Sequence, residues 1–301
     1  MRVFMIDLKN VSVAYKEKEV LNKLSLSAEK GEIIGLVAPN GTGKTTLFNV
    51  MANFLKPNSG VVTFNGKNEY KTEKDELTIH KQLATLPDQS DLFEELSGVD
   101  HIKLYANMWK GTTKHVQGIV DQLHMNSYVK QKVHTYSLGM RQRLCFAMIV
   151  AADTPVMLMD EVMNGLDVAN VELLSNHLIQ MKQENKLIFI ASHLLDNLDL
   201  YADRVLFLRD GIIIHEQQLT HETDNYLKIE LTPDQYNRLA REHRLPEGHY
   251  YIADHICCIP LGDMDLTQQR EWIERLLTHQ GKQLTIGPLG TVEYYEKYYH
   301  E

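Results

Sequence analysis

Cysteine is scarce: 301 residues hold only Cys145 and the adjacent pair Cys257-Cys258, which make neither a disulfide framework nor a zinc spacing. They read as buried thiols in a reducing compartment. No run of about 18 apolar residues occurs, so no membrane-spanning helix is expected. The start, Met1-Arg2-Val3-Phe4-Met5-Ile6-Asp7, reaches an acid too early for a secretory signal. A cationic excess is missing too. The formal charge of −9 argues against a free nucleic-acid binder, because binding the phosphate backbone needs a positive footprint. What remains is a soluble globular composition, long enough for one large domain or a domain plus a smaller module. A cytoplasmic location is expected.

The chain is organised around Ala38-Pro39-Asn40-Gly41-Thr42-Gly43-Lys44-Thr45-Thr46. A short apolar run, Glu32 to Val37, precedes it and reads as a buried strand; Leu47 to Leu55 follows and reads as a helix. Strand, glycine-rich loop and helix with Gly-Lys-Thr predict a phosphate-binding P-loop. Its backbone N–H groups converge on an anion at the positive end of the helix dipole. Lys44 is placed to reach the β- and γ-phosphates, and the Thr45 hydroxyl to reach Mg²⁺. Ala38 stands where the pattern has glycine, which is harmless at negative φ and costly at positive φ.

Strands are expected over 3–8 and 11–15, with a charged loop from Lys16 to Glu19. Further strands are expected at 61–64, 156–159 and 187–191, with a hairpin from Val205 to Ile214. Residues 97–152 read as helical, opened by a Ser97/Asp100 capping box, with another helix start near Leu138. Alternating strands and helices predict an α/β sheet covered on both faces. Eight of the fourteen tyrosines lie between Tyr226 and Tyr299, where the composition shifts. A small α+β module is expected there, with strands at 226–231 and 251–256. Its helix, Met264 to His279, carries the stripe Leu266, Ile273, Leu276 and Leu277 beside Trp272.

Three more stretches carry chemistry. Val156 to Met159 delivers Asp160 and Glu161 at a strand's carboxyl end, where α/β sheets bind ligands. Asp160 suits a Mg²⁺ shell and Glu161 a base for water. Tyr136-Ser137-Leu138-Gly139-Met140 opens a helix and offers a second phosphate-binding corner, or an ordinary serine cap. Ser192-His193 follows the strand ending at Ala191.

Together these residues resemble the ATP-binding subunits of ABC transporters, over roughly residues 3–219 and in the family's motif order. Tyr136 to Met140 is similar to the signature variant of exporters whose ATPase and membrane subunits are separate chains. The resemblance implies a P-loop NTPase domain over 1–219: a mostly parallel core sheet, an antiparallel β subdomain and a helical subdomain at about 90–150. A C-terminal accessory module would fill 220–301. It implies ATP and Mg²⁺ as cofactors, with ATP held by Tyr15 on adenine, by Asn40, Gly41, Thr42, Gly43, Lys44, Thr45 and Thr46, and by Ser137 and Gly139 of a partner chain. Catalysis would fall to Glu161, His193 and Lys44, and Mg²⁺ to Thr45, Asp160 and either Asp88 or Gln89. Asn164-Gly165-Leu166-Asp167 is similar to the family's D-loop.

The implied partners are a second copy, or a paired ATPase chain, and a separate integral-membrane permease that holds the protein at the inner face of the cell membrane. Nucleic acid is not expected. The permease would dock near 87–110, where Phe93, Leu96, Val99, Ile102, Tyr105 and Trp109 offer apolar surface. Departures from the pattern are Ala38, Val162 for the usual proline, and Asp88 for the usual glutamine. Two other classes stay open: a soluble ABC ATPase acting on ribosomes or nucleic acid, and a hydrolysis-poor regulatory nucleotide binder.

Overall fold

The computed structural model describes residues 5–219, 224–279 and 282–300. The chain divides into two compact units, Met1–Gln218 and Leu219–Glu301.

The first unit opens with an antiparallel hairpin, β1 (Ile6–Tyr15) and β2 (Lys18–Ala28). Alternation buries Leu24, Leu26 and Ala28 of β2 and leaves Lys23 and Ser25 outside. Two expectations change here. β1 is one strand rather than two: its register slips between Leu8 and Val11, and Asn10 absorbs the slip at φ 50. Such a bulge bends a strand without ending it. Of the strand expected over 3–8, residues 3 and 4 lie outside the described residues. The charged stretch is not a loop either, because only Lys16-Glu17 turn and Lys18-Glu19 already pair as β2.

β3 (Ile33–Val37), buried along its length, runs through the P-loop into α1 (Lys44–Met51). β4 (Ser59–Phe64) and β5 (Asn68–Glu69) complete an antiparallel sheet of order β2-β1-β4-β5. α2 (Glu73–His80) leads to β6 (Leu83–Thr85). Three helices follow: α3 (Gly98–Lys110), α4 (Val116–Gln122) and α5 (Leu138–Ala152). The Ser97/Asp100 capping box that opens α3 is present in both directions. The remainder is β7 (Val156–Asp160), α6 (Val168–Gln183), β8 (Leu187–Ala191), α7 (Leu195–Leu198), β9 (Arg204–Arg209) and β10 (Ile212–Gln218).

The second sheet has the order β10-β9-β3-β8-β7-β6, parallel from β9 to β6, with β10 an antiparallel edge. Apolar side chains of both sheets and of α1, among them Leu24, Leu36, Leu47, Phe64, Leu158 and Leu206, share one core. The order matters for function. β3, β8 and β7 are neighbours, so the P-loop, Ser192-His193 and Asp160-Glu161 emerge side by side at the sheet's carboxyl edge.

The second unit is an antiparallel sheet, order β12-β13-β11-β14, of β11 (Tyr226–Glu230), β12 (Tyr250–Ile252), β13 (Ile256–Pro260) and β14 (Lys282–Gly287). α8 (Pro233–Glu242) and α9 (Leu266–Thr278) carry Leu239, Trp272 and Leu276 into a cluster with Leu227, Ile229 and Cys257. α10 (Thr291–Tyr299) brings Tyr294 to a second cluster with Tyr226, Tyr250 and Cys258. Successive side chains of a strand point to opposite faces, which is why Cys257 and Cys258 sit in different clusters. The strand expected over 251–256 is broken by a hairpin turn: Tyr251 and Ile252 belong to β12, Ala253 and Asp254 take positive φ, and Ile256 opens β13. The expected stripe on α9 is also wrong at its ends: Leu266 is 84% and Leu277 55% exposed.

Candidate functional site

At the P-loop, Gly41 (φ 78) and Gly43 (φ 112) occupy backbone conformations that a side chain disfavours. A Cβ at Gly43 would also lie 3.0 Å from the Val20 carbonyl oxygen of β2. Ala38 is buried and is not among the positive-φ residues, so the departure from glycine costs nothing there. The Thr42 hydroxyl donates to the Pro39 carbonyl at 2.7 Å and braces the loop. Lys44 is buried; its ammonium donates to the carbonyls of Ala38 (2.5 Å) and Pro39 (3.2 Å). Burial lowers the Lys44 pKa, and the carboxylates of Glu161 and Asp160 oppose that shift.

A cleft of about 540 Å³ follows, walled by Asn40, Gly41, Gly43, Lys44, Thr45 and Thr46. Asp160 and Glu161, and Tyr15, Lys18 and Val20 of the hairpin, complete its lining. Tyr15, half-exposed beside the two-residue turn, is presented there by its pairing with Lys18. Lys18 and Val20 are the lining residues that sequence reading missed. The alternation of Leu24, Leu26 and Ala28 signals β2, but it does not reach back to Lys18 and Val20.

Thr45 Oγ1 donates to Asp160 Oδ2 at 2.8 Å. Burial raises the Asp160 pKa, the Thr45 hydrogen bond opposes the rise, and the Glu161 charge adds to it. His193 Nδ1 lies 2.8 Å from Glu161 Oε1, and Glu161 Oε2 is buried without a hydrogen-bond partner among the described residues. Glu161 itself sits at φ 55, an uncommon conformation for a residue with a side chain.

The two candidates at the next loop separate. Asp88 lines a neighbouring groove together with Thr45 and Asp160, and its carboxylate accepts from Ser90 N (2.7 Å) and Ser90 Oγ (2.6 Å). Gln89 turns away and donates to Gln142 of α5. Ser137 caps α5, its hydroxyl accepting from the Met140 N–H at 3.3 Å, and is exposed. Neither Ser137 nor Gly139 lines the cleft of its own chain. Tyr136 anchors that segment: its hydroxyl donates to the Tyr128 carbonyl at 3.0 Å, and a Cβ on Gly98 would lie 2.3 Å from it.

Among the described residues no three His, Cys, Asp or Glu side chains cluster as a metal-ligating set. The Thr45 hydroxyl and the Asp160 carboxylate are hard oxygen donors, and two such donors fit a Mg²⁺ completed by water and phosphate oxygens. No helix among the described residues is long and apolar enough to cross a membrane.

A sequence model described as ABC transporter matches residues 21–164. The uncharacterized ABC transporter ATP-binding protein YhcH of Bacillus subtilis is 32% identical over 220 residues, covering 72% of this chain and 71% of that protein. The bacitracin transport ATP-binding protein BcrA of Enterococcus faecalis is 28% identical over 256 residues, covering 83% and 80%. Among solved structures, the dimeric structure of the bacterial ABC transporter cassette MJ0796 matches with TM-score 0.65 at 22% identity, covering 72% of this chain and 99% of that one. P-loop, paired acids, histidine and sheet order agree with these relationships: the chain belongs to the ABC transporter family, as one of its ATP-binding ATPase subunits.

Proposed function

We propose that the cleft binds ATP with Mg²⁺ and that Glu161 is the base for its hydrolysis. The observation that carries this reading is the placement of Glu161, with His193 Nδ1 2.8 Å from one of its oxygens and with Asp160 and Lys44 lining the same cleft. The adenine stacks on Tyr15, and the phosphates lie over the N–H groups of residues 40–46 and against Lys44. Thr45 and Asp160 would hold Mg²⁺, with Asp88 rather than Gln89 in the wall of the groove they share, and the ion would supply charge neutralisation on the phosphate oxygens. The Glu161 carboxylate accepts a proton from a water that attacks the γ-phosphorus as the bond to the β-phosphate oxygen breaks.

Ser137 and Gly139 are exposed or half-buried and outside their own chain's cleft, which supports their completing the site of a second copy. A C₂ arrangement suits this, because each chain carries both corners. ATP then closes the pair by contacting both chains, and hydrolysis reopens it. The work passes to a separate membrane protein, docked in the groove of about 540 Å³ beside the site. Its wall differs from the stripe read in the sequence: Phe54, Phe93, Leu104 and Tyr105 line it, whereas Ile102 is core and the Trp109 indole donates to the His80 and Leu83 carbonyls. Export follows the Tyr136 to Met140 variant, and likeness to a bacitracin transport protein supports a transport role. Residues 220–301 are an accessory module.

Light scattering of Glu161→Gln with and without MgATP tests the reading. An ATP-dependent dimer that Ser137→Arg abolishes is expected. A nucleotide-bound chain that stays monomeric would remove the composite site, and loss of all ATP binding would remove the whole reading.

A further inference from the structure

Glu161 needs support, because φ 55 is disfavoured for a residue with a Cβ. Its N–H donates to the Ala191 carbonyl at 2.9 Å, and its carbonyl accepts from the Asn164 N–H at 3.1 Å. Further support comes from a different element. Gln142, on the second turn of α5, is 4% exposed; its Nε2 donates to the carbonyls of Glu161 (3.0 Å) and Val162 (2.8 Å). Both amide hydrogens are used on consecutive carbonyls, so Oε1 faces the other way. There it accepts from Nε2 of Gln89. One buried side chain thus joins the 88–92 loop, the helix that Ser137 opens and the peptide that carries Glu161.

We infer that Gln142 is a positioning residue for hydrolysis: it clamps the left-handed backbone at Glu161, and Gln89 fixes the orientation of its amide. The inference rests on the reading of Glu161 as base. An amide is nearly symmetric in shape, so only the donors and acceptors around it decide which way it points. With the Gln89 donor withdrawn, Oε1 is buried and unpaired, a cost relieved only when the side chain shifts toward another donor or water. Such a shift draws Nε2 off the two carbonyls and releases the peptide that aims the carboxylate. Placement of the base therefore answers to the loop at the groove, and the task of Gln89 is a hydrogen bond rather than a cation.

The test compares Gln142→Leu, Gln89→Ala and their combination, with Glu161→Gln alongside, by steady-state ATP hydrolysis, Mg²⁺ titration and equilibrium binding of a fluorescent ATP analogue. Gln142→Leu should lower kcat by about 10- to 100-fold, the effect of misplacing a reacting group by about 1 Å. KM and the affinity for the analogue should stay within about twofold, which simple misfolding would not spare. Gln89→Ala, on a partly exposed loop, should lower kcat by less, leave the Mg²⁺ half-saturation unchanged, and add nothing to Gln142→Leu. Wild-type kcat in Gln142→Leu, a loss of kcat matched by lost nucleotide binding, or additive effects of the two substitutions would overturn the inference. So would a raised Mg²⁺ requirement in Gln89→Ala, which would make Gln89 a cation ligand. Undiminished hydrolysis in Glu161→Gln would instead remove the base reading, and is scored separately.

Discussion

His193 Nδ1 and Glu161 Oε1 face each other at 2.8 Å, and the second oxygen of Glu161 is left buried and unpartnered among the described residues. β8 and β7 are adjacent in the sheet, so this pairing is set by strand order and not by nearness in sequence. Glu161→Gln should lower turnover by about 10²–10⁴, the contribution of a general base, with ATP binding kept. His193→Ala should cost about 10², and adding it to Glu161→Gln should cost little more, since the two act as one unit. Single-turnover hydrolysis of the three variants checks this; independent, multiplying losses would separate the residues.

Asp160 stores instability at the same edge. Its pKa is raised by burial, so between the unfolded value and the raised one the folded chain holds more proton than the unfolded chain. Stability contributed by this group is therefore lost as pH rises through that window and stays lost at neutral pH. Asp160→Asn keeps an acceptor for Thr45 and removes the buried charge. In chelator and without nucleotide it should be more stable at pH 7 by about 0.5–2 kcal/mol, the size of a typical stabilising substitution, while hydrolysis falls. Urea unfolding at pH 7 and near pH 4 measures it, and the gain should shrink at the lower pH.

The three thiols should be inert. Burial pushes Cys145, Cys257 and Cys258 each up to about 12. At pH 8 the thiolate, the reactive form, is then a trace species. Alkylation followed by mass spectrometry should find no label on the native protein and three labels in denaturant. Rapid labelling of the native chain would show that one of these sites opens.

Phe54 and Leu104 present apolar surface along the groove at 67% and 40% exposure. Glutamate at either position should change hydrolysis by the isolated chain by less than about twofold, as expected of exposed side chains that do not line the nucleotide cleft. Co-expressed with its membrane partner, the same variants should no longer sediment with membranes. Glu94 is a poorer probe, because Arg141 of α5 grips it through two hydrogen bonds of 2.6 and 2.8 Å. Retained sedimentation in both glutamate variants would move the docking surface elsewhere.

Local chemistry made much of this legible in advance. Ile34 to Val37 is apolar enough to be buried on both faces, and glycines at 41 and 43 are what a phosphate-turning backbone requires. Ser97 with Asp100, and Ser137 before Leu138, mark helix starts through bonds made within four residues. Elements with mixed faces were harder. α8, with only Leu239 buried, and the start of β2 at Lys18 carry too little apolar pattern to stand out. Leu266 and Leu277 fit a helical stripe by spacing, yet the sheet beneath α9 accepts Trp272 and Leu276 in their place.

The sequence by itself determined which chemistry is possible: a lysine and hydroxyls behind a glycine-rich turn, two acids at a strand's end, a histidine at another's. Those assignments depend on residue type and short spacing, which survive without knowledge of the fold. Tertiary structure alone decided the partnerships. It set Asp88 in the wall of the groove that Thr45 and Asp160 also line, its carboxylate on Ser90, and it set Gln89 on Gln142, one residue apart and facing different groups. It placed Cys257 and Cys258 on opposite faces of one sheet, and it set His193 against Glu161. Such contacts join residues tens of positions apart, and their geometry is fixed by strand order and by which buried polar atoms must find a partner.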